Sequence, residues 1–436
     1  MFSFKKSLKS IHLEHNKSTM DLCTEMMPIP EKVFISVVQH IGAPCQPLVE
    51  IGDLVKVGQL IADSKAFISA PIHSSVSGKV VKIEDIMSSL GTKDKTIVIE
   101  TDKKQELWEG IEPPLINSKD DFIKAIRDSG LVGLGGAAFP THVKYNPKNL
   151  DEVDTLIVNG AECEPYITSD YRTMMEDTEN IVYGIRIIMK YLDLKKCYIG
   201  IEKNKPLAIK KLKYATKNMT GVTVVTLQPS YPQGAERVLI YETTGKNLPP
   251  GKLPADIGMI VSNISTVGFV SEYYKTGLPL ISKRITVDGN AVLFPKNLRV
   301  PIGSRICDII DFCGGYTKPP KKIIMGGPMM GRAIYNHKKA LIKNNNAILV
   351  FDEEMSKTPE ETECINCGRC YANCPLNLMP TAIAKEFSRN NIEGLKKLNV
   401  SICMECGCCT YVCPAKKQLS MINRLSKKLI QEEAKK

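Results

Sequence analysis

The chain has 436 residues, 43% of them apolar, and a formal net charge of +11. This is enough apolar sequence for about three domains, and its basic residues are scattered, densest in the last stretch from Lys416 to Lys436. No apolar run reaches the roughly 18 residues of a membrane helix, which excludes a helical span.

The opening residues Lys5, Lys6 and Lys9 run into His12, Glu14 and His15 without an apolar core. No signal peptide is expected, and the chain is placed in the cytoplasm. In that reducing compartment its fifteen cysteines read as metal ligands and buried thiols rather than disulfides. Residues 1–31 read as an N-terminal arm. Residues 32–105 read as short strands punctuated by Gly42, Pro44, Gly52-Asp53, Gly58, Pro71 and Gly78, a β-rich barrel sandwich. The segment from Gly52 to Ile83 resembles a biotinyl/lipoyl-type hammerhead. No lysine stands at its hairpin tip, since Lys65 comes earlier, so the shape is expected without the prosthetic group.

Residues 106–283 alternate helix and strand, which implies a Rossmann-like α/β domain with a mostly parallel sheet. Ser118 with Asp121 makes a capping box, and the helix it starts ends near Gly130. Thr155 to Val158, Cys197 to Ile201 and Val222 to Leu227 read as strands. Ile181, Ile185, Ile188 and Leu192 share one helical face, and Lys205 to Met219 is a further helix. Residues 284–351 form a small β-grasp-like α+β module, with Arg284–Val287 leading into an Asp288-Gly289 hairpin and a short helix from Cys307 to Phe312. An acidic linker from 352 to 362 opens the last region, 352–436.

That region carries Cys364-x2-Cys367-x2-Cys370-x3-Cys374-Pro375 and Cys403-x2-Cys406-x2-Cys409-x3-Cys413-Pro414. Three thiolates on one tight loop reach three irons of a cubane, and the fourth cysteine, at the start of a helix, ligates the other cluster. The spacing therefore assigns one 4Fe–4S cluster to Cys364, Cys367, Cys370 and Cys413, and a second to Cys403, Cys406, Cys409 and Cys374. Zinc prefers paired C-x2-C knuckles, which these motifs are not. Cys408 is a bystander by spacing, and Cys23, Cys45, Cys163, Cys197, Cys307 and Cys313 read as core thiols, with Cys163 marked by its neighbourhood. Residues 380–398 between the motifs read as helix. The lysines from Lys416 to Lys436 read as the outer face of a solvated helix, or else as a surface for an anionic membrane or an acidic redox partner.

Residues 130 to 144 hold Gly133, Gly135 and Gly136 ahead of Phe139-Pro140. Such a loop allows close backbone approach to a ligand. It lacks the Rossmann glycine spacing, and by composition it is a phosphate loop or an ordinary tight turn. This loop resembles the flavin loop of the NADH-binding flavoprotein subunit of respiratory complex I, and Asn159-Gly-Ala-Glu162-Cys-Glu164-Pro resembles that family's second motif, with Ala161 and Cys163 in place of its aspartate and serine. Pro232 to Arg237 occupies the place of its Gly-Glu-Glu segment. Together with "QHIGAP" at 39, "SAPIHSSVSGKV" at 69, "MGGPMMG" at 325 and the paired cysteine motifs, the pattern resembles the RnfC family over essentially the whole chain. That family belongs to the Rnf complex, a membrane-bound ferredoxin:NAD oxidoreductase. The family's usual Gly-Gly-x-His-Pro opening is Lys9-Ser10-Ile11-His12-Leu13 here, and only the histidine is kept.

The resemblance implies two 4Fe–4S clusters, FMN and NAD(H) as cofactors. It implies that Gly133, Gly135, Gly136, Phe139 and Lys144 border FMN and the nicotinamide nucleotide. Asn159, Glu162 and Glu164 would bond the flavin or its ligand, Asn263 and Thr266 would lie near the flavin phosphate, and Lys144 and Arg172 would be phosphate countercharges. It further implies hydride exchange between NAD(H) and FMN, single electrons through the clusters, no acid–base residue, and a peripheral place on the cytoplasmic side of the membrane among other Rnf-type subunits, with ferredoxin as an indirect partner and no nucleic acid. The rival readings are an electron-wiring protein for a soluble reductase, such as an amino-acid reductase, without ion translocation, and a structural scaffold for a membrane assembly.

Overall fold

Alternation starts the first sheet. In Lys32–Ser36, Val33 and Ile35 are wholly buried while their neighbours are partly exposed, the period of a strand with one face on a core. In the computed structural model, which describes residues 8–87 and 93–434, this strand pairs antiparallel with Lys93–Thr101, which pairs with Gly78–Met87. Leu54–Val55 completes the four-stranded sheet, and Gln46–Pro47, Leu60–Asp63 and Ile72–His73 form a three-stranded partner. Gly78 is required where it stands. Its φ is +154°, and a Cβ would lie 2.1 Å from the Glu100 carbonyl oxygen. Lys65 is exposed in the loop between two strands of the smaller sheet. Lys5, Lys6 and the last two lysines lie outside the described residues.

The α/β domain opens with the helix Lys119–Asp128, whose capping box between Ser118 and Asp121 is formed as its sequence predicts. Four parallel strands follow: Thr155–Asn159, Lys196–Glu202, Val222–Leu227 and Met259–Asn263. Ile181, Ile185 and Ile188 on the Thr178–Tyr191 helix have no exposed surface and pack in the domain's core with Leu192. In space, Thr155–Asn159 lies between Lys196–Glu202 on one side and Met259–Asn263 on the other. The chain therefore winds outward from the first strand in one direction and returns on its opposite flank. Such a switch in strand order leaves a crevice beyond the carboxyl ends of the two diverging strands, where open α/β sheets bind ligands. Here those ends are Asn159 and Asn263.

The next module is a six-stranded mixed sheet with the short helix Ile306–Phe312. Two features differ from expectation. Its edge strand is Thr24–Met26 from the N-terminal arm, parallel to Lys296–Pro301. And Asp288-Gly289 does not make a two-residue hairpin: Ser282–Asp288 pairs with Lys296–Pro301 across a longer connection. That connection sends Ala291 and Val292 into the module's core. Gly289, at φ +115°, is needed for close approach to Val350, whose carbonyl oxygen would be 2.1 Å from a Cβ.

The last region is helical: Arg369–Ala372, Pro380–Ser388, Ile392–Lys397, Cys408–Tyr411 and a longer C-terminal helix, Leu419–Glu433. The first and fourth of these begin inside the two cysteine motifs.

Candidate functional site

Both cysteine motifs curl in the same way. The residue before the second cysteine and the glycine after it are left-handed: Asn366 (φ 54°) and Gly368 (71°) in one, Glu405 (57°) and Gly407 (80°) in the other. The fold then crosses the motifs. Cys374 of the first motif lines one cleft with Cys403, Cys406 and Cys409 of the second, around about 340 Å³ of atom-free space. Cys413 of the second motif packs with Cys370 of the first, in an apolar cluster that also includes Cys409. Cys364 and Cys367 are exposed on the loop leading to Cys370. Three thiols from one loop and one from the other is the donor set of a two-cluster ferredoxin, so the residues present fit a pair of 4Fe–4S clusters.

The second loop is also packed against the α/β domain. Cys406 and Cys408 share an apolar cluster with Tyr231, Ile11 and Leu13, and Cys163 and Met329 lie against it. The Tyr231 hydroxyl donates to the Cys406 carbonyl oxygen at 2.8 Å. Ile11 and Tyr231 exchange both backbone hydrogen bonds, at 2.9 Å each, so the N-terminal arm closes over this junction. Burial pushes the Cys163 thiol up to about 12, and its sulfur accepts the Gly234 N–H. Cys163 packs against the junction. Cys23, expected in a core, is exposed, with its sulfur 3.4 Å from the Arg172 guanidinium.

At the switch point the glycine loop lies over Asn263. A Cβ on Gly135 would meet the Asn263 side chain at 2.9 Å. Thr266, buried, accepts the Leu134 N–H at 3.0 Å. The Gly133 N–H closes the loop onto the Phe139 carbonyl at 2.9 Å. Gly136 is exposed, with φ +112° and nothing within 4 Å of a Cβ. Asn263 itself caps the helix Ile264–Thr276 and donates to Asp170 at 2.7 Å. Across the crevice Asn159 donates to the Gly234 carbonyl at 2.8 Å. The Lys144 ammonium reaches the Val261 carbonyl at 3.0 Å and Glu236 at 3.2 Å. The Gln233 side-chain nitrogen is buried without a partner among the described residues. An open glycine bend and an orphaned amide donor at a switch point are what a planar, polar-edged ligand such as flavin needs.

Two expected contacts are made elsewhere. Glu162, with φ 49°, accepts the N–H groups of Asp170 and Tyr171 at the start of the helix Ser169–Glu176. Glu164 accepts those of Met329 and Met330, tying the second motif to the "MGGPMMG" loop. Burial raises both carboxyls to about 7. Arg172 is a correction. It is buried against Glu176, its i+4 neighbour, and the Met20 carbonyl, so its charge is neutralised within the fold and is not free to meet a phosphate.

Sequence reading missed four lysines that staple these loops through backbone carbonyls. Lys17 holds those of Glu162, Glu164 and Ile167. Lys205 holds Ala161 at 2.7 Å. Lys283 holds Leu134 at 2.6 Å, and Lys343 holds Gly130 at 2.6 Å and Pro71 at 2.7 Å. Burial lowers Lys283 and Lys343 to about 7 and Lys17 to about 8. Lysine is so rarely buried that no local pattern marks such a position.

Four family models match the chain in order: an RnfC barrel sandwich hybrid domain over 5–104, a Nuo51 FMN-binding domain over 126–272, an SLBB domain over 284–333 and a 4Fe-4S dicluster domain over 363–417. A subunit of the proton-translocating ferredoxin:NAD(+) oxidoreductase complex of Clostridium ljungdahlii is 48% identical over 375 residues, 85% of this chain and 82% of that protein. The chain belongs to the RnfC family. Further members are the corresponding subunits of two other complexes. That of the Na(+)-translocating ferredoxin:NAD(+) oxidoreductase complex of Acetobacterium woodii is 40% identical over 87% of each chain. That of the ion-translocating oxidoreductase complex of Rhodobacter capsulatus is 36% identical over 89% of this chain and 76% of that one. Among solved structures, an NAD+-reducing nickel–iron hydrogenase in its H2-reduced state matches in fold, with a TM-score of 0.51 at 16% identity over 72% of this chain. The chain spans 63% of that hydrogenase chain. The RnfC barrel sandwich, the flavin domain, the SLBB module and the dicluster domain are thus the four folds that the sequence patterns imply.

Proposed function

We propose that this chain is the peripheral subunit through which an Rnf-type membrane complex exchanges electrons with NAD(H), on the cytoplasmic side of the membrane. When bound, FMN turns two-electron hydride exchange with NAD(H) into single electrons, which two 4Fe–4S clusters carry one at a time. The glycine loop, Lys144, Asn159, Asn263 and Thr266 shape the flavin and nucleotide crevice. Glu162 and Glu164 act by holding the loop between them in place. The cysteines divide as their spacing assigns them, Cys364, Cys367, Cys370 and Cys413 against Cys403, Cys406, Cys409 and Cys374.

One observation carries this reading. The loop from Tyr231 to Gly234 touches the crevice at one end, where the Gly234 carbonyl accepts from Asn159 at 2.8 Å, and the second cysteine loop at the other, where the Tyr231 hydroxyl meets Cys406 at 2.8 Å. A path of a few residues therefore joins flavin to the second cluster, while the first motif's exposed cysteines face outward toward the remaining subunits. Among the described residues no helix is long and apolar enough to cross a membrane, and ion translocation is assigned to those other subunits. Cysteines that serve as cluster ligands and buried thiols suit a reducing compartment, which supports the cytoplasmic side.

The test is an anaerobic visible-spectrum titration of the cluster-reconstituted chain with NADH after addition of FMN. Bleaching of both flavin and cluster absorbance is expected. Clusters that remain oxidised while no flavin is retained would overturn the assignment.

A further inference from the structure

The two cysteine motifs form an internal repeat. Each cysteine of the second lies 39 positions after its counterpart, and left-handed residues recur at the same offset: Asn366 and Glu405, Gly368 and Gly407, Asn377 and Lys416. The repeat differs at a buried position beside the second cluster. Asn423, on the C-terminal helix, is 1% exposed and lines the cleft of the second cluster. Its side-chain nitrogen donates to the Cys403 sulfur at 3.4 Å, and its Oδ1 is buried with no partner among the described residues. The counterpart, 39 positions earlier, is Ala384, which packs against Cys370, Cys409 and Cys413 without any polar group.

A buried amide with one unmet acceptor is a cost to folding, and Ala384 shows that the repeat closes without it. The compensating gain lies at the sulfur. A ligating cysteine is a thiolate, which accepts hydrogen bonds and cannot donate them, so the amide N–H is the part of Asn423 that can face it. Two further donors converge on the same residue: the Glu405 N–H reaches the Cys403 sulfur at 3.4 Å, and Lys427 reaches its carbonyl at 2.9 Å. Reduction adds negative charge to a cluster. Burial opposes that charge, and donors to the sulfurs favour it.

We propose that Asn423 is a potential-setting residue: its amide donates to the Cys403 thiolate and raises the reduction potential of the second cluster. The buried centre beside the flavin crevice thereby remains able to accept electrons. Asn423 touches neither NAD(H) nor flavin and acts through the ligand, so it is a positioning residue. The inference rests on the ligand sets of the proposed function.

The experiment is an EPR-monitored redox titration of the full chain reconstituted with both clusters, with signals assigned by Cys367→Ser and Cys406→Ser variants. In Asn423→Leu the reduced-to-oxidised ratio of the second cluster at fixed potential should fall about tenfold, about 59 mV for a one-electron couple, while the first cluster stays put. Asn423→Asp keeps the shape but sets an acceptor against the thiolate, and should shift the second cluster further in the same direction. Iron analysis checks that both clusters remain. Unchanged potentials in both variants, or equal shifts of both clusters, would overturn the proposal. So would loss of the second cluster from both variants, which would make Asn423 an assembly residue. A wild-type chain that binds no clusters would instead defeat the ligand assignment itself.

Discussion

Tyr231 and Cys406 are joined by a 2.8 Å hydrogen bond from the phenol to the backbone carbonyl, a direct polar link between the loop bordering the flavin crevice and the second cysteine motif. Tyr231 is 2% exposed and Cys406 9%, so Tyr231→Phe leaves a buried carbonyl unpaired. The expected cost is about 1–3 kcal/mol in denaturant unfolding. Flavin and iron content should be unchanged, and rapid-mixing absorbance should show the second cluster reduced by NADH several-fold more slowly.

Cysteine variants separate ligands from bystanders. Cys367→Ala and Cys406→Ala should each lower bound iron from about eight to about four atoms per chain, the content of one cubane. Cys408→Ala should retain about eight. Cys408 is buried in the junction with Tyr231, with its sulfur 4.0 Å from the Tyr231 carbonyl, and its removal costs packing rather than a ligand. A Cys408→Ala chain with half the iron would overturn the spacing argument.

Legibility tracked the range of each interaction. The Ser118 capping box and the Ile181 helix face are local patterns with their expected form. The cysteine motifs form the expected loops, but it is the third cysteine of each, Cys370 and Cys409, that sits on a short helix. The fourth, Cys374 and Cys413, follows that helix in a turn rather than starting one. The glycine loop was recognisable because close approach demands glycine whatever the fold. Features set by distant partners were not. Arg172 is only partly such a case: its bond to the Met20 carbonyl is set by a residue 152 positions away, but its salt bridge to Glu176, four residues on, is a local i,i+4 pattern. Glu164 looked like a flavin ligand, yet its partners are two backbone amides 165 and 166 residues away. Thr24–Met26 is a three-residue strand with two exposed positions, too short and too polar at the surface to show a period. Lys283 and Lys343 sit in ordinary polar stretches, and only the carbonyls they meet make them structural.

The glycine loop gives a paired test. A Cβ on Gly135 would lie 2.9 Å from the Asn263 side-chain nitrogen and 3.2 Å from two of its carbons, whereas on Gly133 the nearest atom is 3.8 Å away. Gly135→Ala must therefore push the loop off the helix cap at the switch point, and Gly133→Ala need move nothing. FMN affinity, read by fluorescence quenching, should fall at least about tenfold in the first variant, about 1.4 kcal/mol. It should change less than about twofold in the second. Equal effects would show that the loop does not seat on Asn263 when flavin binds.

The Glu164 carboxyl should make stability depend on pH. Burial raises it from 4.5 to about 7, against the pull of the Met329 and Met330 amides. A group whose folded value is raised binds its proton more tightly in the folded chain. Its stabilising contribution is complete below about 4.5 and is lost as pH rises through about 7. Glu164→Gln has no such proton to lose. Denaturant unfolding of the full chain at pH 5.0, 6.0, 7.0 and 8.0 should show the wild type losing about 2 kcal/mol relative to Glu164→Gln across that range. The raised value allows a somewhat larger change, and partial exposure of the carboxyl reduces it. Most of the change should fall below pH 7.5, with a flat difference above it. The Gln side chain sets one N–H against a backbone N–H, which adds a constant offset and leaves the slope untouched. A difference that does not vary with pH would mean that Glu164 stays ionised, held by the two amides, and that burial does not control its proton.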